Sequence, residues 1–232
     1  MNERAQRQVG SGRFITLEGP DGAGKSIHAE RLATALRARG LTVTLVREPG
    51  GTALGEAIRR ILLDRGLVHA PAADALLFNA ARAQLVAEVV RPVLDRGEVV
   101  VCDRYADSTL AYQGYGSGMD LEALRVVAAV STGGLVPDRT VLLDLAVDVG
   151  LERRRQGPAA EQTRFEDDAR HDRAFHERVR AGFLSLAGAE PARWRVVDAA
   201  ATEERVAAAV LAAVADLLPA GEPIPAPGRR LR

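Results

Sequence analysis

The chain has 232 residues, of which 47% are hydrophobic and 27% are charged, and its 31 lysines and arginines balance its 31 acidic residues. This is the composition of a globular protein, so it excludes a wholly disordered chain. The zero net charge disfavours a protein that acts by coating nucleic acid or an anionic membrane. The single cysteine, Cys102, excludes an intrachain disulfide and a zinc site built from several thiolates.

The two ends of the sequence differ in composition from the rest. We expect disordered tails at residues 1–12 and 219–232, the second because it is rich in proline and glycine, and one domain over 13–218. The start lacks the apolar core of a secretion signal, and the longest apolar run, Val206 to Ala215, is too short to cross a bilayer. We therefore expect a cytoplasmic protein with no nucleic-acid or membrane partner.

Between the tails, short apolar runs alternate with helical patterns. The predicted strands are Arg13–Glu18, Thr42–Val46, Val99–Cys102, Thr140–Leu145 and Arg195–Val197. The predicted helices are 25–39, 52–64, 72–95, 120–131, 148–155, 167–187 and 202–217. Apolar strands separated by helices indicate an α/β three-layer sandwich, in which a five-stranded parallel sheet carries helices on both faces. Ligands of such sheets bind beyond the carboxyl ends of the strands.

The first predicted strand runs directly into a glycine-rich loop and a helix. The loop reads Gly19-Pro20-Asp21-Gly22-Ala23-Gly24-Lys25-Ser26, which is the G-x-x-x-x-G-K-S pattern in its strand–loop–helix context. Its backbone N–H groups would surround a nucleotide phosphate, Lys25 would reach the β- and γ-phosphates, and the Ser26 hydroxyl would ligate magnesium. Lys25 is the only lysine in the chain. A retained lysine among arginines suggests a site that needs a compact point charge.

The third predicted strand ends in an acid and a base. Asp103 is placed to hold a magnesium-bound water or to orient the acceptor, and Arg104 is suited to clamp a phosphate. If the chain continues as a helix, Arg104, Ser108 and Tyr112 lie on one face and point together at a ligand. The alternative interpretation of Asp103 and Arg104 is a surface ion pair. The preceding residue, Cys102, is interpreted as a small buried apolar residue.

Phe78 and Arg82 lie one turn apart on the predicted helix 72–95. An aromatic ring and a guanidinium are what a planar base with a nearby carbonyl or phosphate would use. Taken alone, a core phenylalanine beside a surface arginine is the alternative interpretation.

Four stretches together make the chain resemble the bacterial thymidylate kinases, a family of P-loop nucleoside monophosphate kinases. The similarity runs from about residue 13 to 218. The stretches are Leu17 to Ser26, Arg47-Glu48-Pro49-Gly50-Gly51-Thr52, Leu77-Phe78-Asn79-Ala80-Ala81-Arg82, and Asp103-Arg104-Tyr105 continuing through Ser108 to Gly114. The resemblance implies transfer of the γ-phosphoryl group of ATP to dTMP with Mg²⁺, giving dTDP and ADP, by an enzyme that is usually a homodimer.

The resemblance also implies roles for individual residues. Phe78 would stack on thymine, Arg82 would hydrogen-bond the base, Arg104 would hold the dTMP phosphate, and Asp21 would lie near the sugar 3′-hydroxyl or the phosphates. The remaining residues implied for the dTMP site are Ser108, Thr109, Tyr112 and Gln113. The Glu48–Pro49 peptide is predicted to be cis by the same likeness.

Arginines on both sides of a Gly/Pro break at about 153–166 resemble the mobile lid of the family. The motif Thr163-Arg164-Phe165-Glu166 makes Arg164 the candidate catalytic arginine, and Arg153 a candidate for the ATP site. Ser26, Asp103 and Glu166 are the candidate metal ligands. Some members carry the catalytic arginine inside the phosphate loop, so we expect an arginine placed at position 22 to rescue loss of Arg164 in part.

A GTPase is disfavoured, because it would carry Asn-Lys-x-Asp, which needs a second lysine that this chain lacks.

Two other functions remain open from the sequence. A kinase for a different monophosphate or for a nucleoside is the nearest alternative, and Arg104 favours a monophosphate. A non-catalytic, nucleotide-gated interaction protein on the same fold is the alternative from another class, and the intact Lys25, Asp103 and Arg104 argue against it.

Overall fold

The computed structural model describes residues 12–64, 66–156 and 172–218, and five parallel strands form its one sheet. The strands are β1 (Arg13–Glu18), β2 (Val43–Arg47), β3 (Val99–Asp103), β4 (Arg139–Asp144) and β5 (Trp194–Asp198). Their order across the sheet is β2-β3-β1-β4-β5, and every neighbouring pair is parallel. The predicted five-stranded parallel sheet is confirmed, and each predicted strand lies within one residue of its observed bounds at either end.

Helices follow the strands on both faces of the sheet. They are α1 (Lys25–Arg37), α2 (Ala53–Leu63), α3 (Pro71–Leu85), α4 (Arg91–Asp95), α5 (Ala106–Thr109), α6 (Leu121–Thr132), α7 (Val147–Arg155), α8 (Arg173–Ala189) and α9 (Glu203–Ala212). Two π-helical segments, Val86–Val90 and Leu110–Gly116, continue α3 into α4 and extend α5. None of the helices in the described ranges combines the length and the apolar character needed to cross a membrane.

The strands are apolar on both faces because each face is covered. Ile15 and Leu17 of β1 pack with the inner faces of α1 and α9, in a cluster that includes Leu32 and Val206. Phe14 points to the opposite face and packs with the π-helical turn that follows α3. Burial of each such side chain stabilises the fold by about 1.5–3 kcal/mol, so the alternation along β1 fixes which helices lie on which side.

β1 and β3 are neighbours in the sheet, and their ends are level. Leu17 of β1 pairs with Asp103 of β3. The loop that follows β1 and the turn that follows β3 therefore leave the same edge of the sheet side by side. The topology brings together the glycine-rich loop and the Asp103–Arg104 pair, which the sequence separates by almost 80 residues.

Candidate functional site

The glycine-rich loop joins β1 to the amino terminus of α1. Gly24 is the N-cap of α1, with a φ of 83°, and Lys25 is the first helical residue. The Lys25 ammonium is almost buried and donates a hydrogen bond to the Pro20 carbonyl oxygen at 2.8 Å, across the loop. Burial, followed by the positive charge of Arg104, lowers the pKa of Lys25 to about 8. The loop, its lysine and the positive end of the helix dipole together form a cradle suited to a phosphate.

Ser26 and Asp103 form a pair of oxygen donors at the base of this loop. The Ser26 hydroxyl donates to Asp103 Oδ2 at 2.5 Å. The other carboxylate oxygen, Asp103 Oδ1, is buried and has no hydrogen-bond partner among the described residues. A hydroxyl and a carboxylate with one unsatisfied oxygen are the donor set that Mg²⁺ accepts beside substrate phosphates, so these residues fit the metal.

Arg104 has an unusual backbone and a side chain with many contacts. Its φ is 68°, and it is the one non-glycine residue with a positive φ in the described ranges. That conformation costs an L-residue about 1–2 kcal/mol. The guanidinium donates to Asp21 Oδ1 at 2.6 Å, to Ser108 Oγ and the Tyr112 hydroxyl at 3.2 Å, and to the Gly19 carbonyl oxygen at 3.4 Å. The predicted convergence of Arg104, Ser108 and Tyr112 is therefore present, and it lies directly against the glycine-rich loop.

Asp21 connects the loop to this cluster of arginines. Its carboxylate contacts Arg104 and lies 3.6 Å from Arg154 Nη1 of α7. Burial alone would raise the pKa of Asp21, but the positive charges of Arg104, Lys25 and Arg154 outweigh it and hold that pKa below its ordinary value. Asp21 is therefore ionised at neutral pH and balances part of the positive charge at this edge of the sheet.

Arg82 is buried in the core rather than exposed on its helix. Its guanidinium donates to Glu48 Oε2 at 2.9 Å, to Asn79 Oδ1 at 2.9 Å, and to the Tyr105 carbonyl oxygen and Thr109 Oγ1 at 3.1 Å. The alternative of a surface arginine is wrong, since 1% of the residue is exposed. These contacts bring Arg82 and Thr109 together, and their roles in a dTMP site stay predictions.

Two other residues predicted for the acceptor site lie on the elements that carry Arg82 and Tyr112. Phe78 of α3 is partly buried and packs against Ile58 and Leu62 of α2. Gln113 is buried in the π-helical segment one residue beyond Tyr112. The Glu48–Pro49 peptide bond is cis, as predicted.

Of the two arginines predicted to face the donor nucleotide, the structure describes Arg153. Arg153, near the end of α7, donates to the Ala199 carbonyl oxygen at 3.2 Å and to the Gly22 carbonyl oxygen at 3.4 Å. Its side chain thus lies beside the glycine-rich loop. Arg164 and Glu166 lie outside the described residues, and so does most of the predicted lid at 153–166.

The expected rescue by an arginine at position 22 is opposed by the backbone. Gly22 has a φ of 76°, and a Cβ built on it would lie 2.3 Å from the carbonyl oxygen of Gly150 in α7. Both the strained conformation and the contact with backbone exclude a side chain there unless the loop moves. The backbone thus argues against that expectation, and the rescue itself stays a prediction.

Sequence reasoning missed two buried acids beside the predicted residues. Glu18 is the last residue of β1 and is fully buried. Glu48 follows β2 and pairs with Arg82. An acid at the end of an otherwise apolar strand indicates a buried polar contact, because burying a carboxyl group is unfavourable unless it has hydrogen-bond partners. Those partners are far away in the chain, so only the fold identifies them.

Comparison with known proteins places this geometry in context. A family model described as thymidylate kinase matches residues 17–210. The chain is 51% identical over 208 residues to a thymidylate kinase of Deinococcus radiodurans, a match that covers 90% of this chain and 98% of the relative. It is 52% identical over 204 residues to a thymidylate kinase of Roseiflexus sp., covering 84% and 89% respectively. It is 50% identical over 212 residues to a thymidylate kinase of Thermomicrobium roseum, covering 91% and 99%.

Proposed function

Because this chain belongs to the thymidylate kinase family, we propose that it transfers the γ-phosphoryl group of ATP to dTMP and releases dTDP and ADP. The observation that carries this proposal is the contact between the glycine-rich loop and Arg104. It supports the proposal because a loop suited to the donor phosphates and an arginine suited to an acceptor phosphate lie in contact at one edge of the sheet. Holding two phosphates in this way supplies most of what phosphoryl transfer needs from a protein.

On the donor side, the loop N–H groups and Lys25 hold the β- and γ-phosphates of ATP. Lys25 keeps a proton at neutral pH, since its pKa of about 8 lies above 7, and its ammonium neutralises charge on the transferred group. Arg153 flanks the loop beside Gly22 and Ala199 and contributes to the ATP site.

On the acceptor side, Arg104 holds the dTMP phosphate, with Ser108 and Tyr112 supporting its guanidinium. Asp21 shares this guanidinium and lies near the sugar or the phosphates. The base lies toward Phe78, Arg82, Thr109 and Gln113. A clamp of this kind favours a nucleoside monophosphate over a nucleoside, because the partly exposed Arg104 guanidinium can donate to a phosphate and a free 5′-hydroxyl carries no charge for it to bind.

Ser26 and Asp103 are the residues that would hold Mg²⁺, and Glu166 is the third candidate ligand. When bound, the ion neutralises charge on the ATP phosphates. The unsatisfied Asp103 Oδ1 supports this assignment. Asp103→Asn should weaken binding of Mg²⁺ to the nucleotide complex, which isothermal titration of Mg²⁺ into the enzyme with a non-hydrolysable ATP analogue measures without turnover.

The activity is tested by following ADP release with a panel of acceptors. With dTMP, dUMP, dCMP, dGMP and AMP at equal concentrations, kcat/KM should be highest for dTMP. A higher value for any other monophosphate would assign the enzyme to a different substrate. No turnover with any of the five would favour the non-catalytic alternative.

We further propose that the enzyme is a homodimer. The helices α2, α3 and α6 pack side by side and carry exposed apolar side chains at Leu54, Ile61, Leu76, Val126 and Val130. Val126 and Val130 are one turn apart on α6 and share a face, and Val130 is 80% exposed. A second copy would cover this surface. Val130→Asp should shift the mass measured by light scattering from dimer to monomer, whereas Val149→Asp on α7 should not.

A further inference from the structure

Glu18 is a buried acid for which the proposed chemistry has no use. It ends β1, immediately before the glycine-rich loop, and none of its surface is exposed. It lies on the same face of β1 as Thr16, opposite the face that packs on α1. A carboxyl group in such a position is unfavourable unless hydrogen bonds satisfy both of its oxygens.

Both oxygens of Glu18 bind the turn that carries Arg104. Oε1 accepts the backbone N–H of Tyr105 at 2.7 Å, and Oε2 accepts the Ser108 hydroxyl at 2.6 Å. The preceding N–H, that of Arg104, donates to the Leu17 carbonyl oxygen at 3.0 Å. Two successive peptide groups of the turn are thus fixed to two successive residues of β1, and Arg104 lies between them with its φ of 68°.

The same carboxyl group also reaches the Arg104 side chain. Ser108 Oγ contacts Glu18 Oε2 and accepts a hydrogen bond from Arg104 Nη1 at 3.2 Å. Glu18 therefore acts on Arg104 by two routes, through the backbone at Tyr105 and through the Ser108 hydroxyl.

We propose that Glu18 is the positioning residue of the acceptor clamp: it holds the strained turn after β3 so that the Arg104 guanidinium points across the glycine-rich loop. The inference rests on the proposed function, because it says how Glu18 helps to form the acceptor site of that reaction. Glu18 itself touches no substrate. Its contribution is to hold Arg104 ready before the acceptor phosphate arrives.

The charge state of Glu18 agrees with a positioning role. Burial, followed by the negative charge of Asp107, raises the pKa of Glu18 to about 8, against the opposing effects of Ser108, Arg104 and the Tyr105 N–H. The carboxyl group is therefore mostly neutral at pH 7, so Glu18 adds little negative charge beside Arg104, whose ion partner in this structure is Asp21. Glutamine imitates this neutral form, since its amide oxygen can accept from Tyr105 and its amide nitrogen can donate to Ser108.

Two substitutions of similar length separate hydrogen bonding from packing. Glu18→Gln keeps the hydrogen bond from Tyr105 and can replace the bond from Ser108 with one donated to it, and we expect its KM for dTMP to stay within about threefold of the wild-type value. Glu18→Met keeps the volume and loses both bonds, and we expect it to raise KM for dTMP about tenfold or more while KM for ATP changes less than about twofold. Equal behaviour of the two variants, or an equal rise of both KM values, would overturn the proposal.

Thr16→Val supplies the matched control. Thr16 lies two residues earlier on the same face of β1, is fully buried and bonds Thr140 at 2.9 Å, away from Arg104. This variant loses a buried hydrogen bond and should lower the melting temperature without changing KM for dTMP. If Glu18→Met does not fold, Glu18→Asp decides, because its shorter side chain keeps the carboxyl group but cannot reach both Tyr105 and Ser108. A raised KM for dTMP with an unchanged KM for ATP supports the inference, and an unchanged KM for dTMP overturns it. Turnover of dTMP by the wild type tests the proposed function separately. If the wild type prefers another monophosphate, KM for that monophosphate is compared among the same variants instead.

Discussion

At the scale of single residues, the position of Lys25 explains why a chain rich in arginine keeps one lysine. The ammonium is buried within a loop whose carbonyl oxygen at Pro20 lies 2.8 Å away, and a guanidinium is wider and planar. We expect Lys25→Arg to lower kcat by about 100-fold or more, the scale of a lost transition-state contact. Steady-state kinetics and a melting curve measure the effect. The reciprocal exchange at an exposed site, Arg60→Lys on α2, should leave kcat unchanged, and a near-normal kcat in Lys25→Arg would contradict the assignment.

Phe78 offers a second prediction, because its ring is partly buried against the core and is proposed to stack on the base of dTMP. Stacking on a base is worth about 1–3 kcal/mol, so Phe78→Ala should raise KM for dTMP well above any change in KM for ATP. Leu77→Ala is the matched control, since Leu77 packs on the same cluster of Ile58 and Leu62. It should lower stability and leave KM for dTMP unchanged. If both variants behave alike, Phe78 serves packing only.

Individual residues also show what the sequence could and could not predict. The convergence of Arg104, Ser108 and Tyr112 was predictable from helical spacing, but the spacing is only part of its cause. Arg104 precedes α5 with a φ of 68°, and Tyr112 lies in a π-helical segment, so the turn after β3 also sets where the three side chains meet. The roles of Glu18 and Glu48 were not predictable, since their partners Ser108 and Arg82 are 90 and 34 residues away. The contacts depend on which strands are neighbours, and no local pattern specifies that.

At the scale of elements, we predict that the catalytic arginine comes from the segment at about 153–166. No arginine occurs between Gly19 and Ser26, so the cation that stabilises the transferred phosphoryl group has to come from another segment. Arg164→Ala should lower kcat about 1,000-fold while the dissociation constant for dTMP, measured by calorimetry, stays near the wild-type value. Arg153→Ala, on the side of the gap that the structure describes, is the comparison. A normal kcat in Arg164→Ala together with a reduced kcat in Arg153→Ala would transfer the catalytic role to α7.

Element types were predictable to different degrees. Apolar runs and helical periodicity predicted the strands within one residue and most long helices within two residues of their observed bounds. The helix predicted over 202–217 ends at Ala212, and the one predicted over 167–187 is observed as Arg173–Ala189, with 167–171 outside the described residues. The π-helical segments Val86–Val90 and Leu110–Gly116 were not predicted, because one extra residue in a turn leaves the apolar pattern almost unchanged. The second segment bears Tyr112 and Gln113, so this undetected irregularity lies at the acceptor site.

At the scale of the whole molecule, Glu18 makes stability depend on pH. Its pKa is about 8 in the folded protein against an ordinary value of 4.5. Between these values the folded state binds more protons than the unfolded state, so the free energy of unfolding falls as pH rises. The stabilising contribution is complete below the ordinary pKa and is lost as pH passes through about 8.

Urea unfolding at several pH values between about 5 and 8 checks this prediction. Glu18→Gln cannot titrate, so the wild type should lose stability relative to this variant as pH rises. The same substitution at Glu30, an exposed residue of α1, should leave the slope unchanged. Parallel curves for the wild type and Glu18→Gln would contradict the prediction. Measurements above pH 8 add the opposite effect of Lys25, whose pKa is lowered to about 8.

The close approach of Gly22 and Gly150 limits how this enzyme could be redesigned or could have diverged. A Cβ at Gly22 would meet the Gly150 carbonyl oxygen, and a Cβ at Gly150 would lie 2.4 Å from the carbonyl oxygen of Asp21. The phosphate loop and α7 therefore touch backbone to backbone, and neither accepts a side chain while the other stays in place. An arrangement with the arginine at position 22 requires α7 to be set further from the loop. No single substitution leads from one arrangement to the other, so the backbone has to change before the arginine can move.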